Sequence, residues 1–103
     1  MSSYHINFIN KNLSNELSLE IIANALYCSR VTLNRKFREI MGCTVWEYVI
    51  RRRIYSARQQ LFLGDAITDV YQKSGFNDYS TFFRAYKKII GVSPSEDFRK
   101  SQN

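Results

Sequence analysis

The sequence predicts an all-α fold of about seven helices, arranged as two helix-turn-helix subdomains joined by a long linker helix. Three observations predict it. Apolar residues recur at helical spacing through the chain, as in Leu33 and Phe37 or Phe82 and Tyr86. Start and stop signals fall between those segments: Ser18, Ser29, Thr44 and Ser93-Pro94 at starts, Gly42, Gly64 and Gly91 at ends. The two halves also match each other. Arg35, Ile40, Gly42, Thr44 and Glu47 pair with Arg84, Ile89, Gly91, Ser93 and Glu96 at a constant offset of 49 residues, and Leu33 and Phe37 pair with Phe82 and Tyr86 at the same offset. Upstream of the turn the offset is 48, pairing Leu19 with Ile67 and Ile22 with Val70, so the second turn is one residue longer.

Each element follows from local residues. Tyr4 to Asn12 reads as a first helix, with Ile6, Phe8 and Ile9 apolar and Leu13 beyond; Asn15-Glu16 is a loop. Ser18 caps a helix from about Leu19 to Leu26, striped by Leu19, Ile22, Ala23 and Leu26. After the Tyr27-Cys28 turn, Ser29 caps the next helix. Its expected buried face is Leu33, Phe37 and Ile40, and Val31, Asn34, Arg35 and Arg38 face outward with Arg30 on the flank. Thr44 caps a longer helix, about Val45 to Leu63, with Ile50, Ile54, Ala57 and Leu61 on one side and Arg51, Arg52, Arg53 and Arg58 on the other. Ile67 to Ser74 is a short helix, Gly75-Phe76 the turn, and Asn77 or Asp78 the cap of a helix ending at Ile90. That helix buries Phe82, Tyr86, Ile89 and Ile90, and points Ser80, Phe83, Arg84 and Lys87 away from the core. Pro94 to about Lys100 closes the chain, anchored by Phe98. The expected division is 4–43 for the first unit, 44–63 for the linker helix and 65–101 for the second unit.

Composition bounds the function. A chain of 103 residues suits one small domain, and 45% hydrophobic and 15% aromatic residues suffice for a core. The net charge is +6 and the pI about 9.6, which favours an anionic partner: nucleic acid, a membrane surface or an acidic protein. No apolar run approaches the ~20 residues that span a bilayer. The N-terminus lacks the layout of a signal peptide, so a cytoplasmic location is expected. Cys28 and Cys43 have neither CxxC nor zinc spacing, and His5 is the sole histidine. With no Gly-rich phosphate loop and no HExxH or GxSxG element, nothing points to an enzyme, a metal or another cofactor.

Gly75, Phe76, Phe82, Arg84, Tyr86, Lys87, Gly91, Val92, Ser93, Pro94 and Arg99 resemble the C-terminal signature of the AraC/XylS family of bacterial transcription regulators. The first unit fits too: Leu19, Ala23, Ser29, Leu33, Arg35, Phe37, Gly42, Tyr48, Arg53, Ala57 and Leu61 sit where AraC-type domains place such residues. The resemblance implies two homeodomain-like helical units that bind double-stranded DNA in adjacent major grooves. It puts base reading on Arg30, Val31, Asn34 and Arg35 in the first unit, and on Tyr79, Ser80, Phe83 and Arg84 in the second. By side-chain type, Arg35 and Arg84 suit bidentate contact to guanine, Asn34 an adenine, and Val31 and Phe83 a thymine methyl. Ser29, Lys36, Arg38, Lys87 and Lys88 are the expected phosphate contacts. The linker, about 19 residues, would span roughly 28 Å. RNA polymerase is a further expected partner, with no membrane and no small-molecule ligand. The chain is expected to be monomeric, either as a small regulator or as the DNA-binding piece of a larger one. The alternative is a basic helical module that docks on an acidic protein.

Three positions depart from the family pattern. Tyr27 stands where glycine is usual and is strained if the turn needs φ > 0. Tyr71 replaces a small alanine at the helix crossing. Ala66 replaces a polar residue, leaving Asp65 as the expected cap of the following helix.

Overall fold

Caps and stops divide the chain into seven helices among residues 3–102, which the computed structural model describes. They are α1 (Ser3–Lys11), α2 (Leu19–Ala25), α3 (Arg30–Met41), α4 (Val45–Phe62), α5 (Ile67–Lys73), α6 (Tyr79–Ile90) and α7 (Pro94–Ser101). Met1, Ser2 and Asn103, part of the expected domain span, lie outside the described residues. No described helix is long and apolar enough to cross a membrane. The chain divides into two compact units, Met1–Arg52 and Arg53–Asn103, so the boundary falls inside α4.

The first unit is held by apolar packing. Ile9, Leu17, Ile22, Ala23, Leu26, Leu33, Phe37, Cys43, Val45 and Val49 form one buried cluster. Tyr48 packs edge-on against Phe37 with ring centroids 5.3 Å apart, and its hydroxyl donates to Asn10 Oδ1 at 2.9 Å, tying α4 to α1. Ile40, expected in this core, is 55% exposed. It lies in the last turn of α3, and Cys43 and Val45 fill the core where the chain reverses at Gly42.

Thr44 and Glu47 make a reciprocal cap at the start of α4. The Glu47 N–H donates to Thr44 Oγ1 at 3.1 Å, and the Thr44 N–H donates to Glu47 Oε1 at 3.3 Å. Arg53, expected on the outer side of α4, is only 4% exposed. It precedes Ala57 by four residues, which puts it over the buried stripe of Ile54, Ala57 and Leu61 rather than opposite it. Burial lowers the pKa of its guanidinium.

The second unit buries Ile54, Ala57, Leu61, Val70, Phe76, Phe82, Tyr86 and Pro94. Phe76 meets Phe82 edge-on at 5.4 Å, and Tyr71 lies against Phe82 and Tyr79 at 6.2 and 5.8 Å. Thus Tyr71, in place of a small residue, joins an aromatic cluster. An ionic contact completes this unit. Arg58 grips the Asp97 carboxylate with two N–H groups, at 2.8 and 3.1 Å, and the Tyr86 hydroxyl donates to the same carboxylate at 2.5 Å. The contact joins α4, α6 and α7. Asp97 is the buried anchor of α7 beside Pro94; Phe98, expected in that role, is 39% exposed. Burial opposes ionisation of Asp97, but the bonds from Arg58 and Tyr86 outweigh it and hold the carboxyl below the usual range. Burial, and next the bond to Asp97, push the Tyr86 phenol up.

Both turns end their first helix in the same way. Cys28 N–H reaches Ala23 O and Tyr27 N–H reaches Asn24 O; Phe76 N–H reaches Tyr71 O and Gly75 N–H reaches Gln72 O. This pattern requires positive φ at its middle residue. Gly75 takes φ 94° freely, whereas Tyr27 is held at φ 57°, the one non-glycine residue at positive φ among those described. Ala66, not Asp65, occupies the N-cap of α5 and makes no side-chain cap bond. Asp65 is drawn back to α4, its N–H bonded to Gln60 O, so the next residue starts the new helix.

Two outcomes follow for stability. Ala66→Ser supplies the missing cap and is expected to add about 1 kcal/mol, seen as a rise of roughly 4–8 °C in the thermal midpoint for a chain of this size. Asp97→Asn strips Arg58 and Tyr86 of their charged acceptor and is expected to cost about 2–3 kcal/mol in urea unfolding. Because the folded-state pKa of Asp97 is lowered, its contribution is complete above the unfolded value of about 3.9. That contribution is lost as pH falls through the folded value. The Asn variant should therefore lose less stability than the wild type across that acid range; equal losses would rule Asp97 out as the source.

Candidate nucleic-acid interface

α3 and α6 are the same helix built twice. Each is twelve residues long, starts on a side chain that accepts from the N–H three residues on, and ends at a glycine in the left-handed region. Ser29 caps α3 by accepting from Thr32 N–H; Asp78, not Asn77, caps α6 by accepting from Thr81 N–H. Gly42 (φ 76°) and Gly91 (φ 100°) stop them. Each helix is pinned by two fully buried side chains one turn apart, Leu33 and Phe37 in α3, Phe82 and Tyr86 in α6. That pair sets the rotation of the helix, and with it the residues that face solvent.

The four base-reading candidates of each unit hold equivalent places: Arg30 with Tyr79, Val31 with Ser80, Asn34 with Phe83, Arg35 with Arg84. Three of each four are exposed. Arg30, Val31 and Arg35 stand out from α3, with Val31 79% exposed. Tyr79, Ser80 and Arg84 stand out from α6. The remaining position turns inward in both units. Asn34 is half-buried, and its Oδ1 accepts from the Val45 N–H at 3.2 Å. That bond satisfies one of the free donors at the start of α4 and draws the Asn34 carbonyl oxygen toward α4, leaving it one lone pair. Phe83 is half-buried beside Tyr79, with ring centroids 6.1 Å apart, so only part of its ring is open to a thymine methyl.

All five phosphate candidates, Ser29, Lys36, Arg38, Lys87 and Lys88, are exposed. Arg38 lies close enough to Glu47 to help hold its carboxyl low, after the Thr44 hydroxyl and the Thr44 N–H, and Arg51 adds to that field. In α6 the Asp78 carboxyl is held low by the Thr81 N–H first and the Thr81 hydroxyl next, with a smaller contribution from Arg84. Three roles were not legible in the sequence: Asn34 as a bond across to α4, Asp97 as the buried partner of Arg58, and Arg53 as a buried cation. The signal for Asp97 was an acid four residues past a cap, opposite a helix already carrying arginines.

Residues 22–100 match a family described as a helix-turn-helix domain. The transcriptional activator AarP of Providencia stuartii is 36% identical over 89 residues, covering 85% of this chain, and the chain spans 66% of that protein's length. The C-terminal domain of AraT, a response regulator from Geobacillus stearothermophilus, superposes with a TM-score of 0.90 at 27% identity, over 95% of this chain and 83% of that one. The DNA-binding domain of AdpA, solved in complex with a target DNA, shares the fold with a TM-score of 0.89 at 22% identity, over 95% and 89%. With its motifs, its duplicated helix-turn-helix and these likenesses, the chain belongs to the AraC/XylS family of helix-turn-helix transcription regulators.

Proposed function

We propose that this chain reads double-stranded DNA in a sequence-specific way and regulates transcription, placing α3 and α6 in successive major grooves. The observation that carries the proposal is the repeated exposed arginine, Arg35 and Arg84, at the same step of two identically framed helices. A guanidinium there matches the N7 and O6 acceptors of guanine. Arg30, Val31, Tyr79 and Ser80 complete the two reading faces, and Ser29, Lys36, Arg38, Lys87 and Lys88 take phosphate. α4 has 18 residues, about 27 Å at 1.5 Å per residue. Successive grooves on one face of B-DNA are about 34 Å apart, so a duplex bent toward the protein suits both helices better than a straight one. The chain acts as a cytoplasmic monomer in this reading. If it activates, as AarP is named for doing, it touches RNA polymerase outside the two reading faces.

Selection of bound sites from random duplexes tests the reading. Two short half-sites one helical turn apart, with a steep fall in affinity as salt rises, are the expected result. A flat salt dependence would favour docking on an acidic protein instead. Arg84→Ala is expected to relax preference at one base pair by about 1–3 kcal/mol, and Lys87→Ala to weaken all sequences alike and reduce the log–log salt slope by about one. Identical behaviour of the two variants would overturn the division between base and phosphate contacts.

A further inference from the structure

The two reading helices are capped in the same way, by a side chain bonded to a threonine three residues on, and the caps differ in charge. Ser29 and Asp78 are equivalent N-caps, and each bonds a threonine three residues on. Ser29 Oγ accepts from the Thr32 N–H at 3.1 Å and donates to Thr32 Oγ1 at 2.9 Å. Asp78 Oδ1 accepts from the Thr81 N–H at 2.8 Å, and Oδ2 accepts from the Thr81 hydroxyl at 3.0 Å. Both caps are exposed. Serine and aspartate are about equal as N-caps, so helix formation does not choose between them. Asp78 is an anion at neutral pH, as an exposed aspartate is, and the bonds from Thr81 lower its pKa further.

A helix start that enters a major groove meets phosphate oxygens at the rim and base edges on the floor. A neutral hydroxyl cap leaves phosphate unopposed, whereas a carboxylate repels it. Facing the bases the preference reverses, because the exocyclic amines of cytosine and adenine are donors that a carboxylate accepts from. Each Asp78 oxygen keeps a lone pair beyond the one engaged by Thr81. We propose that Asp78 is a specificity-determining residue of the second unit, accepting from an exocyclic base amine and opposing binding through the backbone alone. The first unit, capped by neutral Ser29, then supplies affinity on any duplex, and the second commits only where an amine is presented. This assignment rests on the DNA reading proposed above.

Asp78→Ser copies the first unit's cap onto the second, Asp78→Asn removes the charge with the cap shape kept, and Ser29→Asp makes the reverse exchange. The probes are a duplex carrying the selected site and the same duplex with its second half-site scrambled, each titrated at several salt concentrations. Asp78→Ser is expected to bind the scrambled duplex roughly 3–10-fold more tightly and to lose at least as much preference for the selected one. Asp78→Asn should show the same gain on the scrambled duplex, and Ser29→Asp should weaken both. If both Asp78 variants keep the wild-type melting temperature and bind the two duplexes as the wild type does, or lose affinity for both alike, the assignment is wrong while DNA reading stands. If the wild type itself shows no salt-dependent duplex binding, the DNA reading fails and this assignment with it.

Discussion

A twelve-residue helix held by two buried side chains one turn apart has a single rotational setting. Leu33 and Phe37 impose it on α3, Phe82 and Tyr86 on α6. What α3 and α6 present for recognition follows from those two pairs, because side chains about two residues away, roughly 200° round the helix at ~100° per residue, are then committed to solvent. A helix this short is marginal by itself in water. Its stability comes from the packed face, so the outer face is free to carry arginines and lysines that add nothing to folding.

The two units hold that face by different means. In the first, an apolar cluster is closed by Phe37 against Tyr48, with Tyr48 tied to Asn10 and Asn34 tied to Val45. In the second, the hydroxyl of Tyr86 reaches a buried carboxylate that Arg58 neutralises. A buried charge is tolerable only when its bonds are complete, and Asp97 has three. The consequence is directional: a phenol must approach its acceptor along a narrow path, so α6 is fixed against α4 and α7 more tightly than apolar contact alone would fix it.

Local rules are broken on the framework helices and kept on the reading ones. Tyr27 sits strained at the end of α2 with its ring 95% exposed, so no burial offsets the strain. α5 starts without a side-chain cap, and Ser74 at its end buries a hydroxyl that has no hydrogen-bond partner among the described residues. α3 and α6 instead have complete caps at both ends. The ordering agrees with helices whose first turns must be placed accurately against a partner.

Much of this was legible in the residues themselves. Periodicity and punctuation located all seven helices, because caps, proline and glycine act on their nearest neighbours and need no knowledge of the rest of the chain. The offset of 49 carried over to coordinates as two identically framed helices, and the longer second turn was visible as the shift from 48. What periodicity could not supply was the partner across the core. Ile40 and Phe98 lie on the apolar side of their helices yet are exposed. Arg53 and Asp97 are polar yet buried, and the bonds that hold Asp97 come from residues 11 and 39 positions away. The bond from the Val45 N–H to the Asn34 carbonyl spans eleven residues and is equally invisible to local spacing. The sequence alone determined the helices, most of their caps and the outward arginines of α3 and α6, all effects of short range along the chain. Only the tertiary structure decided which polar groups face one another, because that depends on how distant segments meet, and no local spacing encodes it.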